Sequence, residues 1–183
     1  MKITVQKGMT MEDLVPYLMP VEKFGEEKKQ NGCWDDWDEA AHTRQWLEKV
    51  LDSINGGNGD VLDVWCLEQN GEMAGSAFVL SDSRIVTGTM AKDHIAVTNE
   101  PAAQFTCFHI LEKYRSRGLG GKWMTEEIFR DLREQGIRTV YIRSSHHNAL
   151  PLYERLGTLV GNYISVSDHQ IYRRYGYVYA VEL

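Results

Sequence analysis

The sequence has 183 residues, of which 43% are hydrophobic and 25% are charged, so it is long enough to bury a proper core in one globular domain. Its net charge of −6 argues against nucleic acid as a partner, because no generally basic surface is available to displace counterions from phosphates. The chain shows no N-terminal signal and no apolar run that could span a membrane, and its three cysteines lack metal-ligand spacing. We therefore expect one cytoplasmic domain, residues 1–183, without a metal, membrane or nucleic-acid partner.

The first part of the chain predicts a strand followed by helical segments. Residues 2–6 alternate between polar and apolar side chains, as in a strand. Thr10, with acidic residues at positions 12 and 13, is typical of a helix start, and Pro20 is expected to end that helix. Residues 22–32 are charged and poorly periodic, which predicts a loop or a short helix.

The most unusual composition lies at residues 33–39, which hold two tryptophans and four acidic residues. One interpretation is a helix start, with an aspartate N-cap and acidic first-turn residues ahead of a helix that runs to about Ile54. The other is a wall that binds a cationic acceptor through charge pairing and cation–π contact. The residues proposed for this wall are Trp34, Asp35, Asp36 and Trp37. Both interpretations can hold together.

The middle of the chain predicts the strands of a sheet. Residues 61–68 and 73–80 read as two strands joined across Asn70-Gly71, the strongest short hairpin signal. Another short strand is expected around 94–97, a buried strand over 105–111 and a further strand over 138–144. With the intervening helices, this order predicts a mixed α+β sheet covered by helices.

A basic, glycine-rich turn follows the buried strand and runs directly into a helix. Residues 115–121 read RSRGLGG, and three glycines in four residues let the backbone approach a ligand closely. Free N–H groups in the first turn of the helix form an anion site, and Arg115, Arg117 and Lys122 add charge suited to phosphate. The common nucleotide motifs G-x-x-x-x-G-K-[ST] and G-x-G-x-x-G are absent. We expect a diphosphate here, the alternative being a plain glycine-bearing loop.

The pattern Arg115-x-x-Gly118-x-Gly120, between a strand and a helix, resembles the acyl-CoA pyrophosphate loop of the GNAT acetyltransferase superfamily, Gln/Arg-x-x-Gly-x-Gly/Ala. Downstream, residues 148–157 resemble the family signature Asn-x-x-(Ala)-x-x-x-Tyr-x-x-x-Gly. The order of elements coincides with that of the family over nearly the whole chain. The resemblance implies the acyl-CoA N-acyltransferase (GNAT-like) fold, with a central mixed, mostly antiparallel sheet flanked by helices.

The resemblance also implies an N-acetyltransferase that moves an acetyl group directly from acetyl-CoA to a primary amine of a small acceptor. The acidic composition favours a cationic acceptor, and a homodimer is left open. Cofactor contacts are expected from Ile110, Arg115, Ser116, Arg117, Gly118, Leu119, Gly120, Gly121, Lys122 and Asn148. The alternatives are a catalytically silent acyl-CoA-binding or sensing domain and an unrelated phosphate-binding α/β protein.

In the family, a tyrosine donates a proton to the departing thiolate, and the resemblance assigns this general acid to Tyr153. A phenol and a thiol are similarly weak acids, so the transfer can be concerted. Tyr172 is the alternative general acid if residues 166–175 form the short helix instead.

Some relatives carry a glutamate base in the core strand, but residues 105–111 contain none. His109 is the nearest titratable group and is the candidate base. Glu100, His94 and the aspartates at positions 35, 36 and 38 are alternatives. The adjacent His146 and His147 are expected to solvate the loop or to approach the cofactor, and Cys107 is not expected to be a nucleophile because no base accompanies it.

Overall fold

The computed structural model describes residues 1–32, 36–81, 84–97 and 101–183. In these ranges, seven strands form one sheet: β1 (Lys2–Thr4), β2 (Val61–Gln69), β3 (Glu72–Ser81), β4 (Ala102–Ile110), β5 (Thr139–Ser144), β6 (Thr158–Val166) and β7 (Arg173–Glu182). The helices are α1 (Met11–Leu14), α2 (Met19–Gln30), α3 (Glu39–Asn55), α4 (Arg84–Lys92), α5 (Leu119–Trp123), α6 (Phe129–Glu134) and α7 (Leu150–Leu156). A π-helical turn, Met124–Ile128, joins α5 to α6.

The strand order across the sheet is β1-β2-β3-β4-β5-β7-β6. Every neighbouring pair is antiparallel except β4 and β5, which run parallel. Helices α1 to α4 cover one face and α5 to α7 the other. Side chains alternate between the two faces, so Phe78 and Leu80 of β3 pack with the first group while Ala77 and Val79 pack with the second. The predicted mixed α+β fold with a mostly antiparallel sheet is confirmed.

The prediction that Pro20 ends the first helix is wrong. Pro20 lies in the first turn of α2, where the N–H that proline lacks has no helical partner and the fixed φ suits a helix. Helix α2 also occupies most of the segment 22–32. Among its residues only Pro20 and Val21 are buried, so the sequence carries almost no apolar periodicity to mark it.

Two further predictions need correction. Residues 94–97 do not form a strand, because α4 precedes them and His94 has a left-handed φ of +58° that interrupts an extended run. Residues 166–175 do not form a helix, since they hold the end of β6, a turn and the start of β7. Tyr172 therefore lies in a turn between two strands.

The parallel strands β4 and β5 open into a cleft. Residues Ala102–Phe105 pair with Thr139–Ile142, and the pairing stops there although both strands continue. Beyond this point β4 bends at Cys107, which has φ +51°, beside a register shift in its pairing with β3. A bulge of this kind turns a strand away from its neighbour. The cleft thus lies at the carboxyl ends of the two parallel strands, where ligands bind in open α/β sheets.

Candidate active site

The glycine-rich turn joins β4 to α5 at the open end of this cleft. Gly118 directly precedes α5 and has φ +72°, a left-handed conformation that side chains disfavour. The N–H of Lys122 donates to the Gly118 carbonyl oxygen at 3.0 Å. The N–H groups at 119–121 precede this bond and have no earlier helical turn to donate to, so they face outward from the helix start. The turn therefore has the backbone arrangement that binds a phosphate.

The second and third glycines of the turn are explained by packing. A Cβ placed on Gly120 would lie 3.1 Å from the Phe108 ring and 3.2 Å from Ile110 Cγ1. A Cβ on Gly121 would lie 3.2 Å from a methyl carbon of Leu152 on α7. Side chains at these positions would push the start of the helix away from β4 and α7. The glycines keep the anion site close to the cleft.

Arg115, the first residue of the turn motif, ties the turn to its surroundings. Its Nε donates to the Ile110 carbonyl oxygen at 2.6 Å, and its Nη2 lies 2.8 Å from a carboxylate oxygen of Glu27 on α2. The guanidinium also lies over the ring of Phe24, 5.5 Å from its centre. These contacts indicate that Arg115 fixes the turn to β4 and α2, a role that its charge alone does not reveal.

A cavity of about 1120 Å³ runs from the turn along the cleft. It is also lined by α7 and by the start of β7. The predicted cofactor-binding residues that line it are Ile110, Arg115, Ser116, Gly118, Leu119, Gly120, Gly121 and Asn148. Arg117 and Lys122 lie exposed at the same turn but outside the cavity wall. The wall thus brings together most of the residues predicted from the motif.

A second cavity, of about 430 Å³, lies beside α3. Its walls come from α3, the bent part of β4, the end of β5 and the β6–β7 hairpin. The residues that line both cavities are Phe108, His109, Ser144, Ser145, His146, Tyr153 and Arg174. The two cavities therefore meet where β4 and β5 have separated.

Tyr153 lies at this junction, on α7. Its side chain is buried, and its ring packs 6.2 Å from that of Tyr179. Burial raises the pKa of its hydroxyl, and the neighbouring Tyr163 raises it further, so the group keeps its proton at physiological pH. Tyr172 is 49% exposed and lines neither cavity, and its ring lies 6.5 Å from that of Trp37.

The imidazole rings of His109 and His146 lie beside Phe24, where the two cavities meet. The Phe24 ring centre lies 5.1 Å from that of His109 and 5.3 Å from that of His146. Burial, followed by the charge of His146, lowers the pKa of His109 to about 3, so its ring is neutral at pH 7. Sequence reasoning missed Phe24, because it lies in the segment whose helical character was not evident.

Glu39 is a carboxylate inside the smaller cavity, in the first turn of α3. Lys28 Nζ and Arg174 Nη1 lie 3.0 and 3.1 Å from its Oε1, and His146 Nε2 lies 3.9 Å away. Burial alone would raise the pKa of Glu39, but His146, Lys28 and Arg174 together lower it. The carboxylate therefore stays ionised. Its sequence position suggested only a favourable first-turn charge, and no local pattern points to these partners.

The segment before α3 begins this helix as the first interpretation predicts. Asp38 is the N-cap, and its Oδ1 accepts the N–H of Ala41 at 3.0 Å. Trp37 lines the smaller cavity and lies under the guanidinium of Arg174, 3.9 Å from the ring centre. Trp34 and Asp35 of the proposed acceptor wall lie outside the described residues.

The turn between β6 and β7 is fastened to this segment. Asp168 donates its N–H to the Asp36 carbonyl oxygen at 2.9 Å and accepts the N–H of Asp38 at 3.0 Å. His169 Nδ1 lies 2.7 Å from Asp36 Oδ1, and its backbone N–H donates to the other oxygen at 2.7 Å. His42 Nε2 also lies 2.5 Å from Asp168 Oδ1. The turn is thus attached to the segment that leads into α3.

The remaining candidates contribute little to either cavity. His94 lines neither of them, and Glu100 lies outside the described residues. Cys107 lines the smaller cavity, where burial raises the pKa of its thiol. Across the described ranges, no group of three or more His, Cys, Asp or Glu side chains could hold a metal ion. In the same part of the chain, no helix combines the length and apolar character needed to cross a membrane.

Comparison with known proteins agrees with this geometry. Residues 29–158 match the family model described as Acetyltransferase (GNAT) family. The fold is similar to that of a GNAT-family acetyltransferase from Streptococcus pneumoniae, with 13% identity and a TM-score of 0.56 over 100% of both chains. It is equally similar to the ribosomal-protein-alanine N-acetyltransferase from Brucella melitensis, with 15% identity and a TM-score of 0.56 over 99% of each chain.

A GNAT-family acetyltransferase from Elizabethkingia anophelis, solved with acetyl-CoA bound, has 13% identity and a TM-score of 0.50 over 76% of this chain and 82% of that chain. A search of curated proteins finds no match. The matched family model covers most of the chain, including the glycine-rich turn, β5 and α7. The chain therefore belongs to the GNAT acetyltransferase family and is an acetyl-CoA-dependent N-acyltransferase.

Proposed function

We propose that this enzyme transfers an acetyl group from acetyl-CoA directly to a primary amine of a small acceptor. The observation that carries the proposal is the meeting of two cavities at Tyr153 and His146, one leading to the glycine-rich turn and the other to Glu39. Acetyl-CoA supplies the activated acyl group, as a thioester. The shared wall allows both substrates to be held together, so proximity supplies much of the rate.

The lining of the larger cavity supports the cofactor proposal chemically. The backbone N–H groups at 119–121 offer donors for the diphosphate, and Gly118 leaves that backbone open because no atom lies within 4 Å of where its Cβ would be. The backbone of β4 near Ile110, no longer paired with β5, offers donors and acceptors along the cleft. Asn148 and Ser116 line the same cavity and add polar side chains.

Tyr153 is the proposed general acid. It lines both cavities, and its hydroxyl is protonated at neutral pH, so the proton is in place when a thiolate leaves; burial raises its pKa, which makes it a weaker acid than a free phenol. The hydroxyl of Tyr172 is placed in the exposed turn and borders neither cavity. We therefore keep Tyr153 as the donor.

The amine must lose a proton before it attacks. His109 is neutral and borders both cavities, but a pKa of about 3 makes it a weak base at neutral pH. His146 stands at the same junction with the ionised Glu39 3.9 Å away, and a carboxylate stabilises an imidazolium. We infer that His146, supported by Glu39, accepts the proton, while His109 offers a neutral hydrogen-bonding edge to the amine.

The acceptor is proposed to enter the smaller cavity as a cation, since a primary amine is protonated at neutral pH. Glu39 provides an ionised carboxylate inside that cavity and Trp37 provides an aromatic wall. However, Lys28 and Arg174 already pair with the carboxylate and Arg174 lies over the ring, so an entering ammonium group must replace those contacts. Asp36 lies next to this wall but is already bonded to His169. In the described part of the acidic segment, the support for a cationic amine is therefore the charge of Glu39 and the ring of Trp37, both of which have cationic partners within the chain.

A thermal-shift titration with acetyl-CoA, CoA and ATP tests the cofactor assignment. A ligand that binds only the folded state raises the melting temperature, so both CoA species should stabilise the protein and ATP should not. A panel of amines with thiol release as the readout then tests the transfer. Absence of a shift with either CoA species would contradict the proposed cofactor site, and thiol release without acetylated amine would contradict the proposed acceptor.

A further inference from the structure

Gln104, on β4, is a buried amide whose carbonyl oxygen lacks a hydrogen-bond donor. The residue is 5% exposed, and within the described chain its Oε1 receives no hydrogen bond. Buried polar groups are nearly always satisfied by the protein, by water or by a ligand. Other buried side-chain atoms in the described ranges share this lack, such as Ser76 Oγ, but among them Gln104 alone lines one of the two cavities. The missing bond therefore adjoins a space that a substrate can fill.

Gln104 lies at the base of the smaller cavity. It pairs with Leu80 of β3 and Tyr141 of β5, one residue before the pairing between β4 and β5 stops. Both partners pack with α1 to α4, and residues paired across neighbouring strands share a face, so the Gln104 side chain lies on that face too. Trp46 of α3 and Thr89 of α4 line the smaller cavity with Gln104, and none of the three lines the larger one. These three residues mark the end of the smaller cavity that lies away from the junction.

Two distances along the backbone indicate the length of this cavity. Phe108, which lines both cavities, follows Gln104 by four residues, or at most about 13 Å along a strand. Trp46 follows Glu39, which lies beside the junction, by seven residues of α3, or about 10 Å along a helix. An acceptor whose amine lies at the junction and whose far end reaches Gln104 is therefore about 10 Å long, an extended chain of about six carbons.

The charges of the smaller cavity favour a neutral group at its base. Among the described residues that line it, Glu39 is the only acidic one, and it lies beside the junction with two cationic partners. Arg143 follows Tyr141 by two residues on the same face of β5, and its Nε and Nη2 lie 2.6 and 3.2 Å from the carboxylate oxygens of Asp93. An ammonium group beside Gln104 would thus meet the positive charge of Arg143. A hydroxyl is neutral, and because it both donates and accepts, it can bond either end of the amide.

We propose that Gln104 selects the acceptor by hydrogen bonding to a hydroxyl group about 10 Å from the reacting amine. This inference rests on the proposed function, because it takes the smaller cavity to be the acceptor site. The hydroxyl donates to Gln104 Oε1, whereas an amine that lacks the hydroxyl leaves this buried oxygen unpaired. A site of this kind discriminates strongly against an analogue without the polar group. The acceptor class is therefore an extended amino alcohol rather than an alkylamine or a diamine.

Acetylation of three amines of equal chain length tests the proposal on the unmodified protein. With acetyl-CoA, kcat/KM should be at least about tenfold higher for aminohexanol than for hexylamine or hexanediamine. An equal or higher kcat/KM for hexylamine or hexanediamine would overturn this inference and leave the proposed function standing. If none of the three amines is acetylated, the proposed small-amine acceptor fails, and this inference fails with it.

Substitution of Gln104 tests whether this residue carries the preference. Gln104→Leu should lower kcat/KM for aminohexanol at least about tenfold and leave that for hexylamine unchanged or higher, because no buried oxygen is then left unpaired. Gln104→Asn keeps the amide but withdraws it by one carbon, so its preference should move to the longer aminoheptanol. Ser76→Ala is the matched control, since Ser76 is also buried and lines neither cavity, and it should keep the preference for aminohexanol. A preference for aminohexanol that survives in both Gln104 variants would overturn the proposal.

Discussion

Tyr153 is buried and His109 is half-buried at the junction of the cavities, and the loss of contact with water has opposite consequences for them. It holds the proton on the tyrosine and keeps it off the histidine. A donor that is always protonated and a ring that is always neutral give the junction a fixed protonation state near pH 7. His146, whose Nε2 lies 3.9 Å from Glu39 Oε1, is the base that we propose for turnover.

Replacing Tyr153 with phenylalanine should lower kcat by about 10²-fold or more, the usual loss when a general acid is removed. The ring packing against Tyr179 is retained, so CoA affinity and melting temperature should change little. Steady-state kinetics and a thermal-shift titration measure the two quantities. Tyr172→Phe serves as the control, and a loss of kcat in the control instead would transfer the role to Tyr172.

The half-buried His109 should make the protein less stable in acid. Its pKa is about 3 when folded and 6.5 in its unperturbed form, so between these values the unfolded chain binds the proton more strongly. Stability should therefore fall as pH decreases from 6.5, by at most roughly 1.4 kcal/mol per pH unit.

Urea unfolding across that range measures this slope. His109→Gln cannot take up the proton, so its stability should fall less steeply, while the contribution of Glu39 and other carboxylates is shared by both proteins. Identical slopes in the two proteins would show that His109 titrates normally in the folded state.

Among the elements, the glycine-rich turn restricts most strongly which residues can occupy its positions. Gly118→Asp would add a negative charge beside the expected diphosphate and a side chain at φ +72°. CoA binding should be abolished, as measured by calorimetry or thermal shift. Gly118→Asn is the matched control, because asparagine tolerates this conformation and carries no charge, and it should retain more affinity. Undiminished binding by the aspartate variant would contradict the assignment of the turn.

The β6–β7 turn should loosen as pH rises. The hydrogen bond with Asp36 raises the pKa of His169, so this attachment is complete below pH 6.5 and is lost as pH rises through the raised value. Protection factors for amides 167–172 should decline over that interval. In Asp36→Asn they should be lower and insensitive to pH. A wild-type profile that stays flat would mean that the charge on His169 does not hold the turn.

The sequence predicted those elements whose signals are local. Asn70-Gly71 forms the expected turn with φ +55° and +78°, and the turn motif lies between a strand and a helix as predicted. Sequence patterns did not predict a helix whose side chains are mostly exposed, as in α2. They also did not predict contacts between residues that are far apart in the sequence. Glu39 meets Arg174 across 135 positions, and no periodicity in the sequence encodes that pairing.

At the scale of the whole molecule, the sheet is divided where the parallel strands β4 and β5 separate. Four register pairs join β4 to β5, and beyond them the two halves of the sheet are linked through the turn, α7 and the residues around the cleft. A ligand in the cleft contacts both halves and should stabilise them together.

Saturating CoA should therefore slow amide exchange in both β4 and β5, as well as in the turn. The edge strand β1 is remote from the cleft and is the internal reference. Exchange measured by mass spectrometry on peptides from each strand makes the comparison. Protection confined to the turn would show that CoA touches only one half.

The separation of β4 and β5 also has a kinetic consequence. The cleft opens toward α7 on the side proposed for acetyl-CoA and toward α3 on the side proposed for the amine. Both substrates can therefore be bound at the same time. Initial-rate plots at several fixed amine concentrations should give lines that intersect, the pattern of a ternary complex. Parallel lines would instead require that the acetyl group reside on the protein between two half-reactions.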